Sequence, residues 1–324
     1  MTSCQRWTER RERYRPSGER IRVAEYGVEP VRAAEAKAFV EAHHYSGSSP
    51  AAVEQIGLFR KVGCLRSELV GVAVFSVPPS QAVIPKWLGL PNTDAVAVAR
   101  ARAVRDRLGV EVRSGRRDRG AITAEEAQGI AAVAQAARDA IRRAEEAALH
   151  GVDLGRFVLL PDVAGDGESW FLARAFGLLS KLRPGCRGVM ATSDPLVRIA
   201  ASGREVCPGH VGVIYQALGG QHVGRTGAGL IHIDRDARTV SGRVFSKITA
   251  GDVGRDYSAR ILAEAAAPQL PGESPADWVR RSKGLLRAVR HPGCLVYRWA
   301  LGGHRLPEVP LLPYPRTATD RVRP

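Results

Sequence analysis

The apolar run Phe157-Val-Leu-Leu160, stopped by Pro161, passes through Asp162-Val-Ala-Gly165-Asp-Gly167-Glu-Ser169 into Trp170-Phe-Leu-Ala-Arg-Ala-Phe-Gly-Leu-Leu179. The first segment reads as a buried strand. The last, with apolar residues at helical spacing, reads as a helix. Glycines let a backbone approach a ligand closely and the N–H groups of a helix start favour an anion, so the turn between them is a candidate phosphate site. Ser169, at the helix start, could bind such a phosphate or cap the helix. A second strand, Gly188-Val-Met-Ala-Thr-Ser193, leads to Asp194-Pro195 and then to the segment Gly209-His-Val-Gly-Val-Ile-Tyr215-Gln-Ala-Leu-Gly219-Gly220.

Upstream of this stretch, Ile21 to Tyr26 alternate as a strand, Val31 to Ala42 read as an amphipathic helix after Pro30, and Val53–Val62 and Leu69–Val77 read as a hairpin. The next predicted strand starts only at Phe157, which makes residues 80–155 an insertion carrying two helices, Asp94–Leu108 and Ala124–Leu149. Between those helices lies Arg113-Ser-Gly-Arg116-Arg117-Asp-Arg119-Gly, a basic loop suited to phosphates or to plain solvent. Downstream, Leu230–Ile233 and Thr239–Phe245 read as a hairpin, Ser274-Pro275 start a helix to about Arg290, Cys294–Ala300 form a last strand, and the tail beyond Pro307 is proline-rich. The expected organisation is a basic arm at 1–19, a core at 20–245 with its insertion, and an extension at 246–324 packed on that core.

The 324 residues carry a formal net charge of +15, which points to a polyanionic partner, duplex DNA above all. Only six of the 48 basic residues are lysine, so coding bias toward arginine accounts for part of that charge. Five cysteines, an odd number with no Cys-x-x-Cys pair, argue against a disulfide framework or a zinc ribbon. No metal site is expected from local ligand spacing. The charged N-terminus lacks the apolar core of a signal peptide, and no stretch approaches the roughly 20 apolar residues of a membrane helix. A cytoplasmic protein without a membrane partner is therefore expected, with its oligomeric state left open, a dimer included.

The layout resembles the GNAT (N-acetyltransferase) superfamily, in which a glycine turn after a strand cradles the pyrophosphate of acetyl-CoA and a later helix carries Tyr-x-x-x-Gly. Both spacings are present, as Asp162-x-x-Gly165-x-Gly167 and Tyr215-x-x-x-Gly219. The family's Gln or Arg is here Asp162, and Asp166 and Glu168 add negative charge, so acetyl-CoA itself is expected to bind weakly or in an altered pose. A closer resemblance is to the Mom family, phage proteins that modify adenine in DNA against restriction. It is carried by His44-Tyr45-Ser46, Glu168-Ser169-Trp-Phe-Leu172, Ser193-Asp194-Pro195, His210-x-Gly212-x-Ile-Tyr215-Gln216 and Leu312-Pro-Tyr-Pro315.

These resemblances imply an α/β (α+β) fold with a central mixed, mostly antiparallel sheet flanked by helices. The activity they imply is transfer of a methylcarbamoyl-type group to the N6 amine of adenine. They imply acetyl-CoA or a related acyl donor held by Gly165, Gly167, Ser169 and Tyr215, with the tyrosine giving a proton to the leaving sulfur. Asp194, which Pro195 keeps extended at a strand end, would accept a hydrogen bond from the amine or orient a histidine. His44 would act as base, its neighbour His43 leaving that assignment ambiguous, and Tyr45 would stack on a nucleobase or pack on the preceding helix. Arg113, Arg116, Arg117 and Arg119 would contact DNA. His210 reads as structural, holding the entry to the helix of Tyr215. Two other readings stay open: a conventional acetyltransferase for a small amine, protein or RNA, and a DNA-binding protein without catalysis on the same scaffold.

Overall fold

The computed structural model describes residues 20–44, 46–63, 66–78, 82–90, 128, 150–164, 166–252, 254–316 and 321–322. The arm at 1–19, the loop arginines Arg113, Arg116, Arg117 and Arg119, the two insertion helices save residue 128, Tyr45 and Gly165 lie outside the described residues.

Seven strands form one sheet: β1 (Tyr26–Pro30), β2 (Ala52–Val62), β3 (Arg66–Ser76), β4 (Gly151–Leu159), β5 (Gly188–Ser193), β8 (Gln221–Arg225) and β12 (Leu295–Ala300). Their order is β1-β2-β3-β4-β5-β12-β8. Every neighbouring pair is antiparallel except β4–β5. The protein is thus a mixed α/β fold around a large, mostly antiparallel sheet.

Alternation along the strands sorts side chains to two faces. On one face Ala73, Phe75, Val189, Ala191, Tyr297 and Trp299 pack under α3 (Gly167–Leu182), whose Phe171, Leu172, Ala175, Phe176 and Leu179 form its buried stripe. On the other face Val72, Val74 and Val158 meet Ala36 and Val40 of α1 (Ala33–His43), while Met190 and Val296 meet Ile84 and Leu88 of α2 (Val83–Leu88). α3 is long and amphipathic because the Trp170–Leu179 pattern extends one turn in each direction.

Smaller units follow: β6 (Val197–Ile199) and β7 (Glu205–Pro208) pair with each other, α4 (Val213–Ala217) carries Tyr215, and β9 (Gly229–Ile233) lies between β10 (Thr239–Val240) and β11 (Arg287–His291). β13 (Arg321–Val322) adds to β6. α5 (Gly242–Ala250), α6 (Arg255–Ala265) and α7 (Pro275–Leu285) enclose an apolar cluster of their own, with Phe245, Ile248, Leu262 and Trp278 at its centre.

Several boundaries differ from the sequence expectation. The first strand lies at Tyr26–Pro30, preceded by a 3-10 turn at Val23–Glu25; as an edge strand it tolerates Pro30. β4 starts at Gly151, six residues before Phe157. Its first half is hidden in the sequence by Asp153, Gly155 and Arg156, and Gly151 is needed where Leu88 of α2 presses on the backbone. Residues 242–245, expected to continue a strand from Thr239, open α5. Val244, Phe245 and Ile248 there share one helical face and bury against Leu262 and Trp278, a gain that a two-stranded ribbon would lack. β12, which lies beyond residue 245, is an interior strand of the main sheet, so the core draws on residues from 26 to 300. Among the described residues, no helix is long and apolar enough to cross a membrane.

Candidate functional site

β4 and β5 run parallel for three pairs, Gly151–Gly188, Val152–Val189 and Asp153–Met190, and then part. The cause lies on the other edge of β4. Between Asp153 and Arg156 the β3–β4 register shifts, with Phe75 opposite Leu154 and Val74 opposite Arg156, so Gly155 is an extra residue whose missing side chain lets Ser76 and Pro50 close in. A bulge bends its strand. The gap that opens is a cavity of about 310 Å3 lined by residues 154–159, His43, His44, Glu168, Thr192, Asp194, His210, residues 212–215 and Cys294. The structure therefore brings His44, Asp194 and Tyr215 to one cavity from three distant parts of the chain.

His44 ends α1 in an extended conformation, its own N–H donating to the Val40 carbonyl. Its Nδ1 accepts the Ser46 N–H at 3.1 Å, which places the ring proton of the neutral form on Nε2. Burial first, then the charge of Arg156 and the neighbouring His210, bring its pKa down to about 3. The ring is thus neutral across the physiological range and is better suited to donating a hydrogen bond than to taking a proton. Arg156 holds the loop that follows, donating to the Ser48 carbonyl at 2.9 Å and to the Ser48 hydroxyl at 3.2 Å.

Asp194 leaves β5 with both carboxylate oxygens engaged. Oδ1 accepts from the Leu196 N–H and from His291 Nε2, each at 2.9 Å, and Oδ2 lies 3.0 Å from Arg198 Nη2. Burial pushes this carboxyl up, but the His291 hydrogen bond and the Arg198 charge outweigh it and hold the group below the ordinary carboxylate range. Its backbone carbonyl accepts the His210 N–H at 2.8 Å. The histidine that Asp194 orients is His291, whose Nδ1 accepts the Gly293 N–H at 3.0 Å and so leaves the proton on Nε2.

The ligand atoms of Asp194, His291 and Cys294 lie within 4.8 Å of one another, a spacing a metal could bridge. Arg198 already neutralises the carboxylate, the proton sits on the nitrogen a metal would need, and burial pushes the Cys294 thiol up to about 12. Asp194 and His291 form a hydrogen-bonded pair, and Cys294 beside them bonds Thr226 instead, a set of contacts that disfavours metal binding.

Tyr215 is buried on α4, packed edge-on to Trp299 and beside Tyr297. The two tyrosines differ in one respect. Tyr297 donates its hydroxyl hydrogen to the Val211 carbonyl and accepts from Gln216 Nε2 at 3.0 Å. The Tyr215 hydroxyl has no hydrogen bond among the described residues, and burial raises its pKa above that of an ordinary tyrosine, so the proton stays on. Gln216 also donates to the Pro315 carbonyl at 3.2 Å, and His222 Nδ1 bonds the Pro313 carbonyl at 2.8 Å, so the proline-rich tail braces the helix that carries Tyr215.

The turn after β4 is built mainly by packing. Gly167 is buried, and a Cβ there would stand 2.8 Å from Val163 Cγ1. Ser169 Oγ donates to the Asp166 carbonyl at 3.2 Å, inside its own helix start. Neither residue lines the cavity; Glu168 between them does. Asp162 pairs with Arg60, and Asp166 Oδ1 accepts the Ile21 N–H at 2.7 Å, so these two carboxylates are already engaged. Gly167→Ala is expected to cost about 1–3 kcal/mol through overpacking against Val163, read as a lowered denaturant midpoint. An unchanged midpoint would show that the position has room and that its glycine serves something other than packing.

His210 and Arg156 are the cavity residues that sequence reasoning undervalued. The His210 ring stands 6.2 Å from that of Tyr215, and burial lowers its pKa against the opposing influence of Asp194. Asp153, the last residue of β4 paired to β5, has an Oδ1 sealed from solvent without a hydrogen-bond partner among the described residues, and burial, partly offset by Arg156, pushes its carboxyl up to about 7. No local spacing joins these groups. The nearest thing to a missed signal is His291-x-x-Cys294, which puts two polar side chains at the start of the last core strand. No protein-family model matches the chain, and no curated protein matches it.

Proposed function

We propose that the chain is an acyltransferase-like enzyme that modifies the exocyclic N6 amine of adenine in DNA, on a GNAT-like core resembling the Mom family. The observation that carries the reading is Tyr215, a protonated phenol with no hydrogen bond to its hydroxyl among the described residues, on the wall of the cavity where β4 and β5 part. The side chain lines the cavity and its hydroxyl is not committed to another described residue, which supports a role toward a ligand.

Acyl transfer to an amine needs a proton taken from the amine, a proton given to the leaving group and a polarised carbonyl. Tyr215 holds the proton to be given. His210, kept neutral by burial, has a ring nitrogen that can accept a hydrogen bond from the amine, whose proton would leave to water once the acyl bond has formed. His44, with its proton on Nε2, and the Arg156 guanidinium supply a donor and a positive charge for the carbonyl oxygen or the base edge. Asp194 anchors the wall through His291 and Arg198 and presents the His210 backbone.

Among the described residues no strand pairs with the inner edge of β4 over residues 154–158, so backbone groups there can pair with an extended, amide-bearing arm. These residues fit an acyl donor such as acetyl-CoA or a relative, which would supply an activated thioester carbonyl. The turn at 162–169 is a less favourable phosphate site, because Glu168 lies at the cavity and Gly167 is committed to packing. Adenine in a duplex is shielded by pairing, so it would have to be extruded at an unstacking cost of about a few kcal/mol, which the +15 charge of the chain helps offset. Mass spectrometry of nucleosides from cells expressing the chain is expected to find a mass-shifted adenosine in DNA; unmodified DNA alongside abundant folded protein would overturn the reading.

A further inference from the structure

A second depression, about 1020 Å3, meets the cavity at Arg156, which lines both. One wall is the loop at 46–50; the other is α5 and α6 with the 234–241 turn. Arg243 and Lys247 are one turn apart on α5 and therefore share a face. Among the described residues neither meets a carboxylate. On α6, Tyr257 is 47% exposed, and the Arg260 guanidinium lies 5.4 Å from its ring centroid. Of the four carboxylates that line the groove, Asp234 accepts the Arg238 N–H at 2.8 Å, Asp236 faces the Arg238 guanidinium at 3.7 Å and Glu41 faces Lys37 at 3.9 Å, while Glu264 has no ion pair among the described residues and offsets one of the cations.

We infer that this groove is the track of a DNA strand, with α5 and α6 gripping the backbone and one nucleotide passing Arg156 into the cavity. The identity of the occupant rests on the reading above, and the groove supplies its own chemistry for it. Clustered cations along a channel neutralise successive phosphates, and an exposed aromatic under a guanidinium is a stacking platform for any base. An acidic peptide would use the cations, but a nucleotide strand brings a planar group with every phosphate, which an acidic side chain does not. The smaller cavity beyond Arg156, about 310 Å3, has room for a single base. Because the helices α5–α7 have their own apolar cluster, they present these side chains on a firm support.

The test is fluorescence anisotropy of the full chain with a fluorescein-labelled duplex oligodeoxynucleotide over a salt series. Variants are Arg243→Ala with Lys247→Ala, Tyr257→Ala, and, outside the groove, Arg280→Ala as control. The double variant is expected to bind about 10-fold or more weakly at low salt, with the slope of log affinity against log salt reduced by about 1.8, since each lost phosphate contact on a duplex removes about 0.9. Tyr257→Ala is expected to bind about 5-fold or more weakly at an unchanged slope, because stacking carries no counterion release. Arg280→Ala should match the parent. If the parent binds and the groove variants bind equally well, or if all variants lose affinity alike, the groove is not the track, while the adenine-modification reading stands. If the parent fails to bind duplex DNA even at low salt, both fall.

Discussion

Tyr215→Phe is expected to reduce modified-adenine yield by about 10²- to 10⁴-fold, the range that a lost general acid removes, while leaving the denaturant midpoint unchanged. The second half of this expectation comes from the contrast between two neighbouring tyrosines. A hydrogen bond normally contributes about 0.5–1.5 kcal/mol, and Tyr297→Phe would forfeit the bonds to Val211 and Gln216. The Tyr215 hydroxyl has none to forfeit among the described residues, and its ring, which packs on Trp299, is retained in phenylalanine. Measuring yield and midpoint on both variants separates proton donation from support. A Tyr215→Phe enzyme that still modifies DNA would sink the proposed role.

Asp194→Ala is expected to have the largest effect on stability, about 3–5 kcal/mol at pH 7, because it removes the carboxylate that faces the buried Arg198 guanidinium. The pH dependence follows from the direction of the shift. The folded Asp194 carboxyl lies below its unfolded value of about 3.9, so its stabilisation is fully present above that value and is lost as pH falls through the folded one. His44 and Asp153 act earlier and in opposite directions. With a folded pKa of about 3, His44 leaves the unfolded chain to bind a proton from about pH 6.5 downward, which lowers stability, while Asp153, at about 7 when folded, takes its proton first in the folded state over nearly the same window, which raises it, in parent and variant alike. Denaturant midpoints recorded from pH 7 to pH 3 should therefore show two parallel curves whose gap narrows only at the acid end. A gap under about 1 kcal/mol at pH 7 would mean that Arg198 finds another counter-charge. Loss of activity in this variant is consequently no evidence of a chemical role for Asp194, and only the midpoint makes it interpretable.

Periodic patterns made the scaffold legible. The alternation in Leu69–Val77, the helical spacing of Trp170–Leu179, the short run Gly188–Ser193 and the Ser274-Pro275 helix start each state a local preference strong enough to survive folding, and each is an element of the structure. His44 at the end of a helix, Asp194 at the end of a strand and Tyr215 in a helix entered through Gly212 were also legible as candidates, through the motifs that resemble the GNAT and Mom families. What the chain does locally was written in its own neighbours.

Only the tertiary structure decided the rest. The parting of β4 from β5 depends on one extra residue, Gly155, whose effect exists only through the register of β3 across from it. Residues 242–245 are helical because Phe245 and Val244 find Leu262 and Trp278, partners tens of residues away that no window of sequence contains. Protonation states are likewise properties of the assembled site. Burial withdraws water from His44 and Tyr215, lowering the first pKa and raising the second, and the buried Asp194 carboxyl is held below its ordinary range because Arg198 and a histidine 97 residues away converge on it. Sequence spacing records what is near along the chain. Desolvation and ion pairing depend on what is near in space, and for this cavity the two coincide at almost no position.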